Sequence, residues 1–266
     1  MRLAIDTIVT DMDGTLLNPQ RAISDYTMQV LEECKRCGIR LIPASGRTRA
    51  SMKPYLQRLN TGMPYIGGNG SEIIGSDHQL IEQLTLDRDL TVELCVCLSG
   101  RGFHVQVYGD EAFYYAKECE AAERYKRSSG LPGVAVGDLS DFLNFRTPKI
   151  LAIAEPERVE ETMPIVSERY EGKATFTVSE PNFLEVEPLG ATKGEALKRL
   201  AAMRGDIVPE RTLAFGDSLN DLSLLMYTPN SVAMANARQE LKDAAVWVCL
   251  SNAEDGLARF IEEHVL

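Results

Sequence analysis

The stretch "IVTDMDGTLL" at residues 8–17 sets Asp11 and Asp13 two residues apart, at the end of an apolar run and just before Gly14. Two like charges this close repel, and burying them is costly unless positive charge sits beside them. Asp and Gly are also turn formers, so Asp-x-Asp-Gly taken alone equally fits a strand that simply ends in a turn.

Other strand ends in the chain discriminate between these readings. Ser45 and Gly46, in "PASGR", follow a second apolar run. Asp217, in "AFGDSLND", closes another, with Asn220 and Asp221 in the turn that follows. Lys193, in "GATKGEAL", begins a helix, whose N-terminal dipole favours an anion. Each has an ordinary structural use: Ser45 as an N-cap, Lys193 as a solvated first-turn residue, Asp217 or Asn220 as a helix cap. Jointly, separate strand ends and helix starts supply several carboxylates, a hydroxyl and one lysine, which coincidental capping does not explain.

Asp11, Asp217 and a backbone carbonyl near Asp13 are hard oxygen donors of the kind that suits Mg²⁺, with positions left for water and phosphate. Ser45 and Lys193 can hold phosphoryl oxygens and offset developing charge. Asp11 can attack phosphorus, while Asp13 moves a proton to and from the leaving oxygen.

The elements that must position these groups alternate along both ends of the chain. Apolar strands are expected at 7–11, 39–45, 64–74 (with a tight turn), 212–217, 231–236 and 246–250. Helices are expected at 24–37, 48–59, 193–204, 219–227, 237–245 and from Glu254 onward. Near-continuous apolar strands alternating with helices predict an α/β fold, a doubly wound parallel sheet covered on both faces. In such a sheet ligands bind outside the carboxyl ends of the strands, where the candidate residues fall.

The middle of the chain reads differently. Strands at 104–109, 112–116, 148–155 and 174–179 are close enough to pair as hairpins, with helices at 88–99, 117–128 and 157–170. This pattern predicts an inserted α+β unit with an antiparallel sheet. The expected division is a catalytic core of residues 1–83 and 187–266 around an inserted unit of 84–186, entered near Glu82–Leu86 and left near Glu185–Leu189. Such an insertion can close over the site, exclude water and select the leaving group.

Composition narrows the partners. The 266 residues carry 28 Lys and Arg against 39 Asp and Glu, a net charge of -11, which disfavours nucleic acid or an anionic membrane as partner. The N-terminus has no signal-peptide pattern and no stretch is long enough to span a bilayer, so a cytoplasmic protein is expected. A monomer is compatible with the sequence. The six cysteines then read as thiols. Cys34 and Cys37 lie in a helical pattern with only three scattered histidines elsewhere, too few partners for a structural zinc site.

Taken in order, "IVTDMDGTLL", "PASGR", "GGNGSEI", "LEVEPLGATKGEAL", "AFGDSLNDLSLL", "SVAMANARQELKDAA" and "SNAEDGLARFIEE" span nearly the whole chain. In this order they resemble the haloacid dehalogenase superfamily phosphatases, specifically the Cof-like branch with a large inserted α+β cap. The resemblance implies Asp11 as the nucleophile that forms an aspartyl-phosphate, and Asp13 as general acid/base. It implies Ser45 and Lys193 as ligands of the transferring phosphoryl group, with Gly46 beside them. Asp11, the main-chain carbonyl of Asp13, and Asp217 would hold Mg²⁺, supported by Asn220 and Asp221. Arg47 and Asn69 fall in motifs that face the cap and are candidates for substrate contact. Ser45 stands where Thr is commoner, Thr192 where Ser is frequent and Ala235 at a usual Gly position; none removes a catalytic group.

The expected activity is therefore hydrolysis of a small phosphomonoester, such as a sugar phosphate or similar metabolite. Two alternatives remain open on the sequence. Phosphoryl transfer to a second hydroxyl, as in a phosphomutase, would need a second phosphate site in the insertion. Arg101, Arg124, Lys126, Arg127, Arg146 and Lys149 are available for one, although scattered surface cations are the simpler reading. A phospho-accepting regulatory domain would need neither Asp13 as acid/base nor a hundred-residue insertion.

Overall fold

The structure is a computed structural model that describes residues 2–109 and 112–266. In chain order the strands are β1 (Thr7–Thr10), β2 (Arg40–Pro43), β3 (Tyr65–Gly67), β4 (Glu72–Ile74), β5 (Leu80–Gln83), β6 (His104–Tyr108), β7 (Phe113–Tyr115), β8 (Gly133–Ala135), β9 (Ile150–Ile153), β10 (Ala174–Val178), β11 (Phe183–Pro188), β12 (Thr212–Gly216), β13 (Asn230–Ala233) and β14 (Trp247–Val248).

The first sheet has the order β14-β13-β12-β1-β2, and every pairing in it is parallel. Its apolar residues alternate between two cores, as the two-residue period of a strand requires. Ile8, Leu41, Leu213, Phe215 and Val232 pack with the helices Asp25–Arg36 and Gly256–His264. Their neighbours Val9, Ile42, Ala214 and Ala233 pack on the opposite side with Ala196, Leu197 and Leu200 of the helix Lys193–Arg204. Both faces are covered, which makes the sheet doubly wound. From β1 the chain goes to β2 on one side, and β12 takes the other, so the order reverses at the end of β1.

Helix boundaries follow their caps. Ser24 accepts the Thr27 N–H at 3.0 Å and donates to Asp255 Oδ1 at 2.6 Å, which starts the helix Asp25–Arg36 and ties it to the C-terminal helix. Thr192 accepts the Glu195 N–H at 3.2 Å and starts the helix Lys193–Arg204.

The second sheet has the order β10-β11-β9-β6-β7-β8, antiparallel except for the β7–β8 pair. One face, with Val105, Val107, Ile150, Ala152, Leu184 and Val186, packs with the helices Arg88–Ser99 and Pro156–Arg169. The other face carries Gln106, Glu185 and Glu187, all buried. A third, small sheet has the order β3-β4-β5.

Three strands escape the sequence reading: β5, β8 and β11. The last matters most, because β11 runs through residues 185–188, where a crossing between units was expected, and pairs with both β10 and β9. Its Leu184-Glu185-Val186-Glu187 alternation is the pattern of a strand with unlike faces, but two glutamates make it read as a polar connection. The helix expected at 219–227 also differs. It opens as a tight turn, Leu219–Asp221, before Leu222–Leu225, because the Asp221 carboxylate accepts the N–H groups of Asp217 and Ser218. No described helix is long and apolar enough to cross a membrane.

Leu213, fully buried at the middle of the parallel sheet, tests this arrangement. Leu213→Ala is expected to lower the unfolding free energy by about 2–5 kcal/mol, read by urea denaturation with an unchanged m-value.

Candidate active site

Asp11 leaves β1 with its backbone N–H donating to the Phe215 carbonyl at 3.0 Å, so the ladder with β12 holds its main chain. Met12 is fully buried in the core, which leaves Asp11 and Asp13 on either side of it at the cavity wall. Gly14 turns the chain with a φ of +81°, and a Cβ there would lie 2.3 Å from Asp217 Oδ2. Only glycine lets the loop pass so close to that carboxylate. Thr15 then donates to Asp217 Oδ1 at 2.8 Å.

Lys193 sits under these carboxylates, completely buried, with Nζ 2.5 Å from Asp11 Oδ1 and 2.5 Å from Asp221 Oδ1. Asp221 uses its second oxygen to accept the Asp217 and Ser218 N–H groups at 2.9 and 3.0 Å. Burial works against the Lys193 charge, but Asp11 and Asp221 outweigh it and hold its pKa above the usual value. Asp11, Asp217 and Asp221 bring carboxylate oxygens within 4.8 Å of one another. One buried cation does not neutralise three carboxylates. Burial, then the charge of Asp221, raises Asp11 well above the usual carboxylate range and pushes Asp217 up to about 7.

Asp13 stands apart from that cluster. Arg47 grips it with two hydrogen bonds, Nε to Oδ2 at 2.5 Å and Nη2 to Oδ1 at 2.7 Å. Arg47 is itself held by Ser51 Oγ at 3.0 Å and lies 5.1 Å over the Tyr55 ring. Ser45, at the end of β2, is buried, and its Oγ accepts the Arg47 N–H at 3.2 Å.

These groups open onto a cavity of about 420 Å³. Asp11, Asp13, Ser45, Gly46, Arg47, Asp217 and Asn220 line it from the strand ends of the parallel sheet. Tyr125, Lys149, Glu180, Phe183 and Glu185 line it from the segment that carries the second sheet. Three hydrogen bonds across the rim join the two sides: Arg21 Nη1 to the Ser128 carbonyl at 2.7 Å, Ser51 Oγ to the Ser129 carbonyl at 3.0 Å, and Ser218 Oγ to the Ser179 carbonyl at 3.1 Å.

The expected residues thus converge, with differences of placement. Asp11, Asp217, Asp221 and Lys193 form one cluster, with Lys193 and Asp221 behind the cavity wall. Asn69 does not line the cavity. It lies deeper, donating from Nδ2 to Glu185 and Glu187 at 2.5 and 2.6 Å and accepting at Oδ1 from Asn220 at 2.9 Å. Lys149, which the sequence offers as one more surface cation, is 3% exposed. It pairs with Glu185 and donates to the Gly46 carbonyl at 3.3 Å. Arg124, Arg127 and Arg146 are exposed, as a surface reading implies. Sequence reasoning missed Glu185 and Glu187. The available signal was a pair of glutamates alternating with apolar residues just before the lysine motif.

The haloacid dehalogenase-like hydrolase family model matches residues 8–261. A phosphatase of Haemophilus influenzae, described as putative, is 29% identical over 96% of this chain and 97% of its own. A Bacillus subtilis 5-amino-6-(5-phospho-D-ribitylamino)uracil phosphatase is 29% identical over 98% of this chain and 96% of its own. The crystal structure of a haloacid dehalogenase-like hydrolase from Bacteroides thetaiotaomicron superposes with a TM-score of 0.86 at 28% identity, over 97% of this chain and 99% of that one. Sequence and fold together define a hydrolase of the phosphatase class. The chain belongs to the haloacid dehalogenase-like hydrolase family.

The buried triad makes a stability claim that needs no substrate. Lys193→Met leaves Asp11 and Asp221 buried without their cation, so the unfolding free energy at neutral pH is expected to fall by about 3–5 kcal/mol in chemical denaturation.

Proposed function

We propose that the protein is a Mg²⁺-dependent phosphatase that hydrolyses a small phosphomonoester through an aspartyl-phosphate on Asp11. The observation that carries this reading is the position of Asp11: its Oδ1 is fixed on a buried lysine at a strand end, and its carboxyl faces a cavity that also holds Asp13 and Ser45.

The donor set fits a hard divalent cation. All donors are oxygen, and the Asp11 and Asp217 carboxyls, raised by burial and then by the charge of Asp221, sit where such an ion would favour their charged form. Asp11, Asp217 and the main-chain carbonyl of Asp13 would hold Mg²⁺, with Asp221 behind them. When bound, the ion supplies charge neutralisation at the phosphoryl oxygens.

The protein's own groups divide the remaining work. Asp11 attacks phosphorus through the oxygen not engaged by Lys193, and the bond to the leaving oxygen breaks. Asp13 delivers a proton to that oxygen, then takes one from the water that displaces phosphate from Asp11. For this, its pair with Arg47 has to open. Ser45 steadies the phosphoryl group, and Lys193, acting through Asp11 from behind the cavity wall, offsets the charge that develops on it. Asn220 borders the same end of the cavity.

Residues 1–83 and those after β11 act as the catalytic core in this reading, and the segment from 84 to the end of β11 as a cap that roofs the cavity and selects the substrate. A cavity of about 420 Å³ suits a small metabolite. Lys149, Glu180 and Glu185 offer polar contacts to a hydroxyl-rich leaving group, and Tyr125 and Phe183 offer aromatic surface. A sugar phosphate or a phosphorylated polyol chain, like that named for the Bacillus subtilis relative, meets these terms. Hydrolysis is favoured over a mutase reaction because the cavity cations Arg21, Arg47 and Lys149 are engaged by Ser128, Asp13 and Glu185.

An aryl phosphate with Mg²⁺ tests the proposal. Turnover is expected to stop in excess EDTA and in Asp11→Asn, and to fall ~10²–10⁴-fold in Asp13→Asn. Undiminished activity in EDTA rejects the metal, and a fully active Asp13→Asn enzyme rejects its acid/base role.

A further inference from the structure

A second buried cluster starts at the cavity wall with Lys149 and Glu185 and runs behind it to Glu187 and Asn69, which do not line the cavity. β11 turns Glu185 and Glu187 to the same side of the sheet, two residues apart, and both bind one amide nitrogen, Asn69 Nδ2. Lys149 pairs with Glu185. Glu187 is fully buried and has no ion pair among the described residues; its partners are Asn69 and, at 3.3 and 3.4 Å, Thr177 Oγ1. Asn69 has a φ of +53°, in the left-handed region, and its side chain is held by hydrogen bonds at both ends. Its other end, Oδ1, accepts from Asn220 Nδ2, and Asn220 lines the cavity beside Asp217. Asn220 Oδ1 is buried with no hydrogen-bond partner among the described residues, so its amide is held from one end only.

Two carboxyls and one lysine around a single amide leave one carboxyl without a counter-ion. The charged groups that face Glu187 are Glu185 on its own strand and Lys149 near the start of β9. β10 presents Thr177 and the turn Gly68–Gly70 presents Asn69, both neutral. The balanced state is one proton on Glu187.

We propose that Glu187 is a proton-holding positioning residue: as a neutral carboxyl it anchors Asn69, and through Asn69 it orients Asn220 at the phosphate end of the cavity. Glu187 does not itself line the cavity, so it acts only through these amides. Ionisation would set two carboxylates against one lysine, repel Glu185 and tighten the pull of Glu187 on the Asn69 amide, and so shift Asn69 and with it Asn220.

Burial, reinforced by Glu185, pushes the Glu187 carboxyl up to about 8. A pKa raised by folding contributes stability that is complete below the ordinary glutamate value and is lost as pH rises through 8. The same ionisation should limit activity on the alkaline side. The activity half of this inference rests on the phosphatase reading; the amide half does not.

The test compares wild type, Glu187→Gln and Glu187→Leu from pH 6 to 10. With ¹⁵N-labelled protein, the side-chain amide signals of Asn69 and Asn220 should titrate together near pH 8 in the wild type and stay fixed in Glu187→Gln. With the aryl phosphate, wild-type kcat/KM should fall at least tenfold between pH 7 and 10. Glu187→Gln, neutral at every pH, should lose that alkaline fall, whereas Glu187→Leu should be impaired at all pH values. Amide signals that do not move near pH 8, or that move equally in Glu187→Gln, overturn the proposal. Amides that titrate while Glu187→Gln keeps the wild-type alkaline fall overturn the positioning role. Wild type without turnover sinks the phosphatase reading, and the amide titration still decides whether Glu187 governs Asn220.

Discussion

The ammonium of Lys193, buried between Asp11 and Asp221, is the contact on which the rest of the site depends. A lone charge in that position would be costly. The two carboxylates hold the ammonium charged although it is out of water. The consequences spread outward. Asp221 is held where its other oxygen closes the turn after β12, and this turn sets the position of Asp217. Asp217 in turn approaches the Asp11–Asp13 loop so closely that the loop must pass it at Gly14. One lysine at a helix start therefore fixes elements that are 182 and 28 residues away from it in sequence.

The antiparallel sheet solves a different problem. One of its faces is an ordinary apolar core against two helices, while the other buries polar and charged side chains beside the cavity. Lys149 and Glu185 satisfy each other, and Asn69 brings the backbone of the first unit into the same network. The polar roof of the cavity is thus tied to the strand-end floor through a buried amide as well as across its rim.

Much of this was legible in the chain and some was not, for physical reasons. The helix Lys193–Arg204 was read at its observed boundaries because Thr192 caps its start and Gly205 ends it in a left-handed conformation. The parallel strands were legible because burial on both faces leaves continuous apolar runs. The convergence of Asp11, Asp217 and Lys193 followed from their shared place at strand ends and helix starts. What stayed hidden was charge that pairing makes buriable. Lys149 looks like any exposed cation until Glu185 is found opposite it, and β11 looks like a linker because every second residue at 185–187 is a glutamate. The Arg47–Asp13 pair is equally silent, since neither residue's local sequence names its partner. Local pattern reports whether a residue is charged, and only the tertiary structure reports whether that charge has been answered.

The hydrogen bonds across the rim have a consequence of their own. Arg21, Ser51 and Ser218 each donate to a main-chain carbonyl, at Ser128, Ser129 and Ser179. The acceptor is part of the backbone, so the side chain at each of those three positions is irrelevant to the bond. Residues around the mouth of the cavity can therefore be exchanged for others of quite different shape while the two halves still meet in the same way. What joins the two sides of the cavity is thus separate from the side chains at those acceptor positions, and one can change without the other.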